Sequence, residues 1–206
     1  MRSLHKALGV AAVACCLAVT AWCGSAFATQ DVIWGTGSAW YSTDPGFEGY
    51  WKYCLTLHWD VTRFDGKPHA MSHVSVLLGL ENCPGVCSPG YFASPDTAGT
   101  GTGTNGCTVH YYMEFDCRGD PTLGISVPTI KFEPYYDNCE PDIAGTAYLC
   151  FYSVASPRPI GAYDATLGIK FGQNIALGTL EGVLPRCAPT TPVAPTTWGA
   201  IKAMLR

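Results

Sequence analysis

The chain has 206 residues, 11 cysteines and a formal net charge of −4, and 48% of its residues are hydrophobic. These values are typical of a globular protein with a substantial core, and they exclude a charge-rich disordered chain. All 16 acidic residues but only eight of the 12 basic ones lie in residues 29–187, which therefore carry −8. This acidity argues against nucleic acid and anionic membranes as partners, because both require a cationic surface.

Residues 1–28 have the layout of an export signal. Arg2 and Lys6 are basic, residues 7–23 carry no charge, and Ala26-Phe27-Ala28 is a small-x-small cleavage site. The mature chain is predicted to begin at Thr29, and losing the two basic residues changes its charge from −4 to −6. The alternative is an uncleaved anchor, since about 17 apolar residues nearly span a bilayer, but the cleavage site favours removal.

Eight cysteines remain after this removal, and an even number in an exported chain predicts a disulfide framework. They are Cys54, Cys83, Cys87, Cys107, Cys117, Cys139, Cys150 and Cys187. On the order of a hundred pairings are open, and the sequence does not select one. Cys83 and Cys87 could form a short bridge or pair elsewhere. A zinc site is disfavoured because no second cysteine pair at matching spacing follows, and no cofactor is predicted.

Residues 50–80 are predicted to form a central hairpin. Large apolar residues occupy alternate positions of 51–62, which predicts a strand with one buried face. A second alternating run covers 69–80. Between them, Asp65-Gly66 supplies the positive φ of a tight turn, and Pro68 cannot donate to a central ladder. The two runs are therefore expected to pair with each other.

The rest of the body is predicted to add further strands. They cover residues 32–42, 107–115, 126–132, 146–154, 165–171 and 175–184. Residues 81–106 are predicted to be a long loop, with the glycine run 98–106 as a flexible connection, since a phosphate loop needs a helix after it. Because no helical period occurs, the body is predicted to be an all-β, antiparallel β-sandwich, with a β-barrel as the alternative.

The chain divides into four parts: a signal peptide (1–28), the β domain (29–187), a Pro/Thr linker (188–197) and a terminal peptide (198–206). Prolines at every third position favour polyproline II in the linker. The terminal peptide is predicted to form a short helix with Trp198, Ile201 and Leu205 on one face. Lys202 and Arg206 are at its cationic end. This layout is typical of a docking or sorting signal, and the alternative is a helix that packs on the body.

The histidines are candidates for metal binding or catalysis. His58, His73 and His110 fall on predicted strands, opposite the large apolar residues, and are expected to be partly exposed polar positions. In the predicted hairpin, His58 and His73 could be cross-strand neighbours. A zinc or copper site there would need a third ligand such as Asp60 or Glu114.

Acidic residues cluster between positions 116 and 142. They could supply oxygen ligands to calcium, around 137–142, or a carboxylate pair to a glycosidase, although solvated turn positions are the simpler interpretation. Arg118-Gly119-Asp120 is interpreted as a β-turn rather than an adhesion motif. Three tyrosines on predicted strands, Tyr112, Tyr148 and Tyr152, could be exposed and bind sugars or peptides.

The ending Trp198-Gly-x-Ile201-Lys202 resembles a short tail of exported proteins from some Gram-negative-type bacteria. Four segments of the body resemble uncharacterised exported bacterial domains: His69-Ala-Met-Ser-His73, Pro89-Gly-Tyr-Phe92, Lys131-Phe-Glu-Pro134 and Ile169-Lys-Phe-Gly-Gln173. The resemblance implies an exported bacterial β-sandwich domain. It carries no activity and no catalytic residues.

Together these observations predict a secreted, periplasmic or cell-surface module that is not an enzyme and that binds a protein or glycan or serves a structural role. A partner for the terminal peptide would assist docking or sorting. The alternative is an extracytoplasmic hydrolase, acting on carbohydrate through acids of the 114–142 region.

Overall fold

A computed structural model describes residues 31–80, 83–135, 138–161 and 165–186. The strands are β1 (Ile33–Tyr41), β2 (Trp51–Asp60), β3 (Met71–Leu77), β4 (Phe92–Ala93), β5 (Gly99–Thr102), β6 (Thr108–Asp116), β7 (Thr129–Pro134), β8 (Ala144–Ser153), β9 (Pro157–Pro159), β10 (Ala165–Phe171) and β11 (Asn174–Pro185). Helical structure in these ranges is limited to α1 (Thr62–Asp65) and two short 3-10 turns. The all-β prediction is confirmed. No helix of the described residues is long and apolar enough to cross a membrane.

Nine of these strands form a closed circuit of hydrogen-bonded pairs. The order is β1, β2, β8, β5, β6, β7, β3, β10 and β11, and β11 then pairs with β1. The β1–β11 pair is parallel and the others are antiparallel. The short strands β4 and β9 pair with β8 and β11. This circuit supports the barrel that the sequence left as the alternative to a sandwich.

The alternating pattern of the sequence lines the core of the closed circuit. On β2, Tyr53, Leu55 and Leu57 are fully buried, while Thr56 between them is exposed. The other long strands contribute in the same way, so one apolar cluster fills the interior. Apolar residues at every second position can all be buried on one face only if the segment is a strand, and this favours strands here.

The predicted hairpin is wrong, although both of its strands exist. β2 pairs with β1 and β8, whereas β3 pairs with β7 and β10. The helical turn α1 follows β2, and Gly66 ends it with φ 75°. The Asp-Gly signal therefore terminates a helix instead of closing a two-residue turn. The connection carries the chain to a different part of the circuit.

The prediction of a flexible glycine run is also wrong. Residues Gly99–Thr102 form β5, which inserts between β6 and β8. A Cβ at Gly99 would lie 1.9 Å from the carbonyl oxygen of Tyr148, and a Cβ at Gly101 would lie 3.0 Å from the Cβ of Ala147. Glycine disfavours strands in general, but here it permits close contact with a neighbouring strand.

Glycines also allow the circuit to close between β1 and β11. A Cβ at Gly178 would lie 1.9 Å from the carbonyl oxygen of Ile33, and a Cβ at Gly182 would lie 2.1 Å from that of Gly37. Because these contacts involve backbone atoms, a side chain could not be accommodated by a change of rotamer. We call this pairing of β1 with β11 the closing seam.

Three disulfides join cysteines of the described residues. They are Cys54–Cys150, Cys87–Cys117 and Cys107–Cys139. Cys83 is also disulfide-bonded. The short Cys83–Cys87 bridge is excluded, because Cys87 pairs with Cys117. Cys187 and the predicted signal peptide, linker and terminal helix lie outside the described residues.

We expect Gly178→Ala to lower the free energy of unfolding by about 3 kcal/mol or more, because the new methyl group must displace the β1 backbone at the closing seam. Urea unfolding followed by tryptophan fluorescence would measure the loss. The adjacent exposed substitution Thr179→Ala is the control and should change stability by less than about 0.5 kcal/mol. Equal stability of the two variants would show that the seam does not constrain the fold.

The disulfide framework predicts the fourth bond by counting. Once residues 1–28 are removed and the three pairs above are assigned, Cys83 and Cys187 are the cysteines left. The Cβ built at Gly79, four residues before Cys83 in the chain, lies 2.9 Å from Nη1 of Arg186, the residue that precedes Cys187. Peptide mapping of unreduced protein should recover four linked pairs, including Cys83–Cys187. Several free thiols would contradict the framework.

Candidate binding site

Threonines on four adjacent strands form two rows on the outer face of the circuit. Strand pairing places Thr56 of β2 opposite Tyr148 of β8, and Tyr148 opposite Thr100 of β5. In the second row, Thr102 of β5 lies opposite Thr108 of β6. The hydroxyl of Thr102 also donates to the carbonyl of Thr146 on β8 (3.2 Å) and accepts from its amide (3.1 Å). The rows exist because inward positions are apolar and alternate positions must face outward.

These rows line an open groove of about 420 Å³, which we call the threonine groove. Its lining consists of Thr56, Thr100, Gly101, Thr102, Gly106, Cys107, Thr108, Thr146, Ala147 and Tyr148. None of these residues carries a charge. The groove therefore offers hydroxyl groups, which donate and accept hydrogen bonds, together with methyl groups and one aromatic ring.

Tyr148 is the aromatic residue of the groove and the most exposed of the three tyrosines singled out from the sequence. Its side chain is 51% exposed. Tyr152 is buried instead: its ring stacks on Phe47 with centroids 3.8 Å apart, and its hydroxyl donates to Asp44 (2.6 Å). Tyr112 is half-buried and donates to Glu133. Of the three, Tyr148 presents the largest exposed surface to a ligand.

The Asp44 carboxylate holds the side chains of Lys52 and Tyr152 in place. Lys52 donates to it at 2.7 Å, and the Lys52 ammonium also lies over the ring of Trp40, 5.9 Å from its centroid. Hydrogen bonds from Lys52 and Tyr152 lower the pKa of Asp44. This arrangement uses the polar groups of Lys52 and Tyr152 within the protein. In the groove the Thr102 hydroxyl is used in this way, whereas those of Thr56, Thr100 and Thr108 make no side-chain hydrogen bond to another described residue.

A second polar cluster lies beneath the turn that follows Cys117. Asp120 is 4% exposed and accepts hydrogen bonds from Ser75 (2.7 Å) and Thr122 (2.6 Å). The Nε2 atom of His73, also 4% exposed, lies 2.8 Å from the Asp120 carboxylate. The prediction of partly exposed positions is therefore wrong for His73 and for Asp120. An outward-facing strand position can still be buried when a loop covers it.

The ionisation of this cluster follows from its contacts. Burial alone would raise the pKa of Asp120, but hydrogen bonds from Thr122 and Ser75 and the nearby His73 outweigh it and lower the pKa to about 2. Burial lowers the pKa of His73, and the carboxylate of Asp120 only partly offsets this. Asp120 is a buried carboxylate whose oxygens are occupied by protein donors. An adhesion function of Arg118-Gly119-Asp120 is excluded, because its carboxylate is not accessible.

The cluster does not form a nucleophilic triad. Ser75 donates to Asp120 and not to His73, so His73 cannot accept the serine proton. The Thr122 hydroxyl lies 3.3 Å from the His73 Nε2 atom but is closer to Asp120. The arrangement stabilises the turn over β3 and is consistent with a structural role.

The other predicted acids are spread over the surface. Glu114 and Asp116 are exposed and line a cavity of about 200 Å³ next to Asp120 and Lys131. Glu133 is paired with Lys131. Glu140 is exposed and Asp142 is half-buried, and Asp137 lies outside the described residues. Within the part of the chain that the structure describes, no group of three His, Cys, Asp or Glu side chains could hold a metal ion.

The structure also separates the histidines. Because β2 and β3 are not paired, His58 and His73 are not cross-strand neighbours, contrary to the metal-site hypothesis. His58 instead stacks on Trp34, with ring centroids 5.7 Å apart. His110 is exposed on β6, opposite Thr100.

Sequence reasoning did not identify the threonines of the groove. The signal is present as Thr-x-Thr at 100–102 and Thr-x-Tyr at 146–148, but the segments are distant in sequence and meet only through strand order. The predicted tail residues Trp198, Ile201, Lys202, Leu205 and Arg206 lie outside the described residues. Comparison with known proteins finds no matching family model and no similar curated protein. The function must therefore be argued from the groove.

We expect Asp120→Asn to lower the free energy of unfolding at pH 7 by at least about 2 kcal/mol. This is the stabilisation implied by a native pKa of about 2 against 3.8 in the unfolded chain. The native state binds fewer protons there, so the difference from wild type should shrink as pH falls from about 4 to 2.

Urea unfolding at several pH values would measure this difference. Glu181→Gln removes an exposed acid and is the matched control, with an expected change below about 0.5 kcal/mol. A loss at pH 7 that persists unchanged at pH 2 would contradict an ionised Asp120 as its source.

Proposed function

We propose that this chain is an exported, non-enzymatic module that binds a glycan in the threonine groove. The observation that carries the proposal is an uncharged groove lined by five threonines and the exposed ring of Tyr148. Sugars present hydroxyl groups around apolar ring faces, and the groove offers hydroxyls, methyl groups and an aromatic face in return.

The chemistry of the groove disfavours other ligand classes. Nucleic acid requires cations near its phosphates, and no Lys or Arg lines the groove. A stable protein interface depends on a buried apolar or arginine anchor, whereas this lining is mainly small and polar. An apolar cofactor would be expected in an enclosed apolar pocket, but here hydroxyl groups dominate an open surface.

Export is part of the same proposal. Three disulfides are compatible with an oxidising compartment outside the cytoplasm. The predicted export signal at 1–28 would direct the mature chain there, and the tail at 198–206 would dock or sort it, through Trp198 and its apolar neighbours. The module would then meet glycans in the periplasm, at the cell surface or outside the cell.

A hydrolase is the second candidate, because Glu114 and Asp116 line one cavity. These acids alternate on β6, so their side chains leave the same face about 7 Å apart by strand geometry. Such a separation would suit a carboxylate pair. The cavity, however, shares no lining residue with the threonine groove, so binding and hydrolysis would use different parts of the surface.

We expect the mature protein to bind neutral glycans on an array, and Tyr148→Ala to weaken that binding at least tenfold, which is about 1.4 kcal/mol. The loss follows from removal of the ring that stacks on the sugar. Isothermal titration with the strongest array ligand would measure it. Tyr41→Ala removes another exposed tyrosine, on β1 and outside the groove, and should leave the affinity unchanged.

Two results would contradict the proposal. Absence of binding to every neutral glycan would exclude a glycan-binding groove, and equal losses in both tyrosine variants would place the binding surface elsewhere. Release of reducing ends from a bound glycan, abolished by Glu114→Gln but not by Tyr148→Ala, would favour the hydrolase.

A further inference from the structure

The threonine groove has a direction, and this sets the shape of its ligand. Eight of its ten lining residues come from β2, β8, β5 and β6, which are consecutive in the circuit, and Gly106 and Cys107 belong to the connection between β5 and β6. Adjacent strands lie about 4.8 Å apart, so three spacings give a groove about 14 Å long that crosses the strands. A ligand that fills it must be elongated.

The groove has a near part around Tyr148, with Thr56 and Thr100, and a distal part that ends at Thr108. Thr56 and Thr100 are the direct cross-strand neighbours of Tyr148. Thr108 is two strands away and one row across, about 12 Å by strand geometry. A single sugar ring stacked on Tyr148 could reach Thr56 or Thr100 but not Thr108.

The distal part is as well formed as the near part. Thr102 is tied to β8 by two hydrogen bonds with the Thr146 backbone, and this fixes the row that continues to Thr108. The Cys107–Cys139 disulfide anchors the residue next to Thr108. The threonines at this end are therefore positioned before any ligand arrives, which reduces the entropy lost on binding.

We propose that the groove binds a short linear run of neutral sugar units that lies across the strands, with one unit on Tyr148 and another at Thr108. This inference rests on the proposed glycan-binding function. It adds that the site recognises a chain of several sugar units and not a single sugar. Because the lining is uncharged, acidic glycans gain no ion pair in this groove and have no advantage over neutral ones.

The test uses linear oligomers of one to six units from the gluco-, xylo-, manno- and chito-oligosaccharide series, titrated against the mature protein. We expect affinity to rise with each unit until the chain spans the groove and then to level off. Thr108→Val, which keeps the shape and removes the hydroxyl, should weaken the longer oligomers threefold to tenfold and leave the monosaccharide unchanged. Thr56→Val should weaken both.

Thr179→Val is the matched control, since Thr179 is exposed on β11 and does not line the groove. Affinity that is equal for one and six units would overturn the chain-reading inference and leave the glycan-binding function standing. Equal loss in Thr108→Val for all lengths, or no loss for any, would also overturn it. Failure of all four series to bind would instead count against the glycan-binding function itself and would overturn both.

Discussion

The fold depends on the close approach of two backbones where β11 meets β1. Gly178 and Gly182 allow this approach, because a Cβ at either position would collide with a carbonyl oxygen of β1. Closure gives β1 and β11 a neighbour on each side and removes the open sheet edges that invite unwanted pairing. Once the circuit is closed, inward and outward are fixed for every strand, and so is the face on which each threonine lies.

The threonine groove is a consequence of this geometry. Two of its segments, around Thr56 and Thr146, belong to strands whose inward residues are large and apolar. The third segment, β5, consists only of glycine and threonine, and its glycines let it lie against the backbone of β8.

The buried Asp120 accounts for the polar groups that lie under the turn after Cys117. The turn after Cys117 crosses the outer face of β3, where His73 and Ser75 would otherwise face solvent. Asp120 takes hydrogen bonds from Ser75 and from Thr122 of its own turn and contacts His73, so the covered polar groups are satisfied. The Cys87–Cys117 disulfide fixes the start of this turn. Stability of the loop and chemistry of the groove are therefore carried by separate parts of the protein.

The sequence by itself determined the β class, the position of most strands and which side chains enter the core. Those features follow from alternation over short ranges: Tyr53, Leu55 and Leu57 are buried as their spacing predicts. It also predicted that the cysteines pair, although not how. Patterns of this kind depend only on residues that are close together in the sequence, so they can be recognised without knowledge of the fold.

Only the tertiary structure decided which strands are neighbours, and this is why the site could not be predicted. The Asp65-Gly66 signal fits both a hairpin turn and a helix end, and the long-range pairings of β2 and β3 selected the second. The glycine run 98–106 suggested flexibility until β8 and β6 were placed on each side of β5. Thr56, Thr100, Thr108 and Tyr148 form one groove because strand order brings distant segments together, and strand order depends on contacts that no local pattern contains.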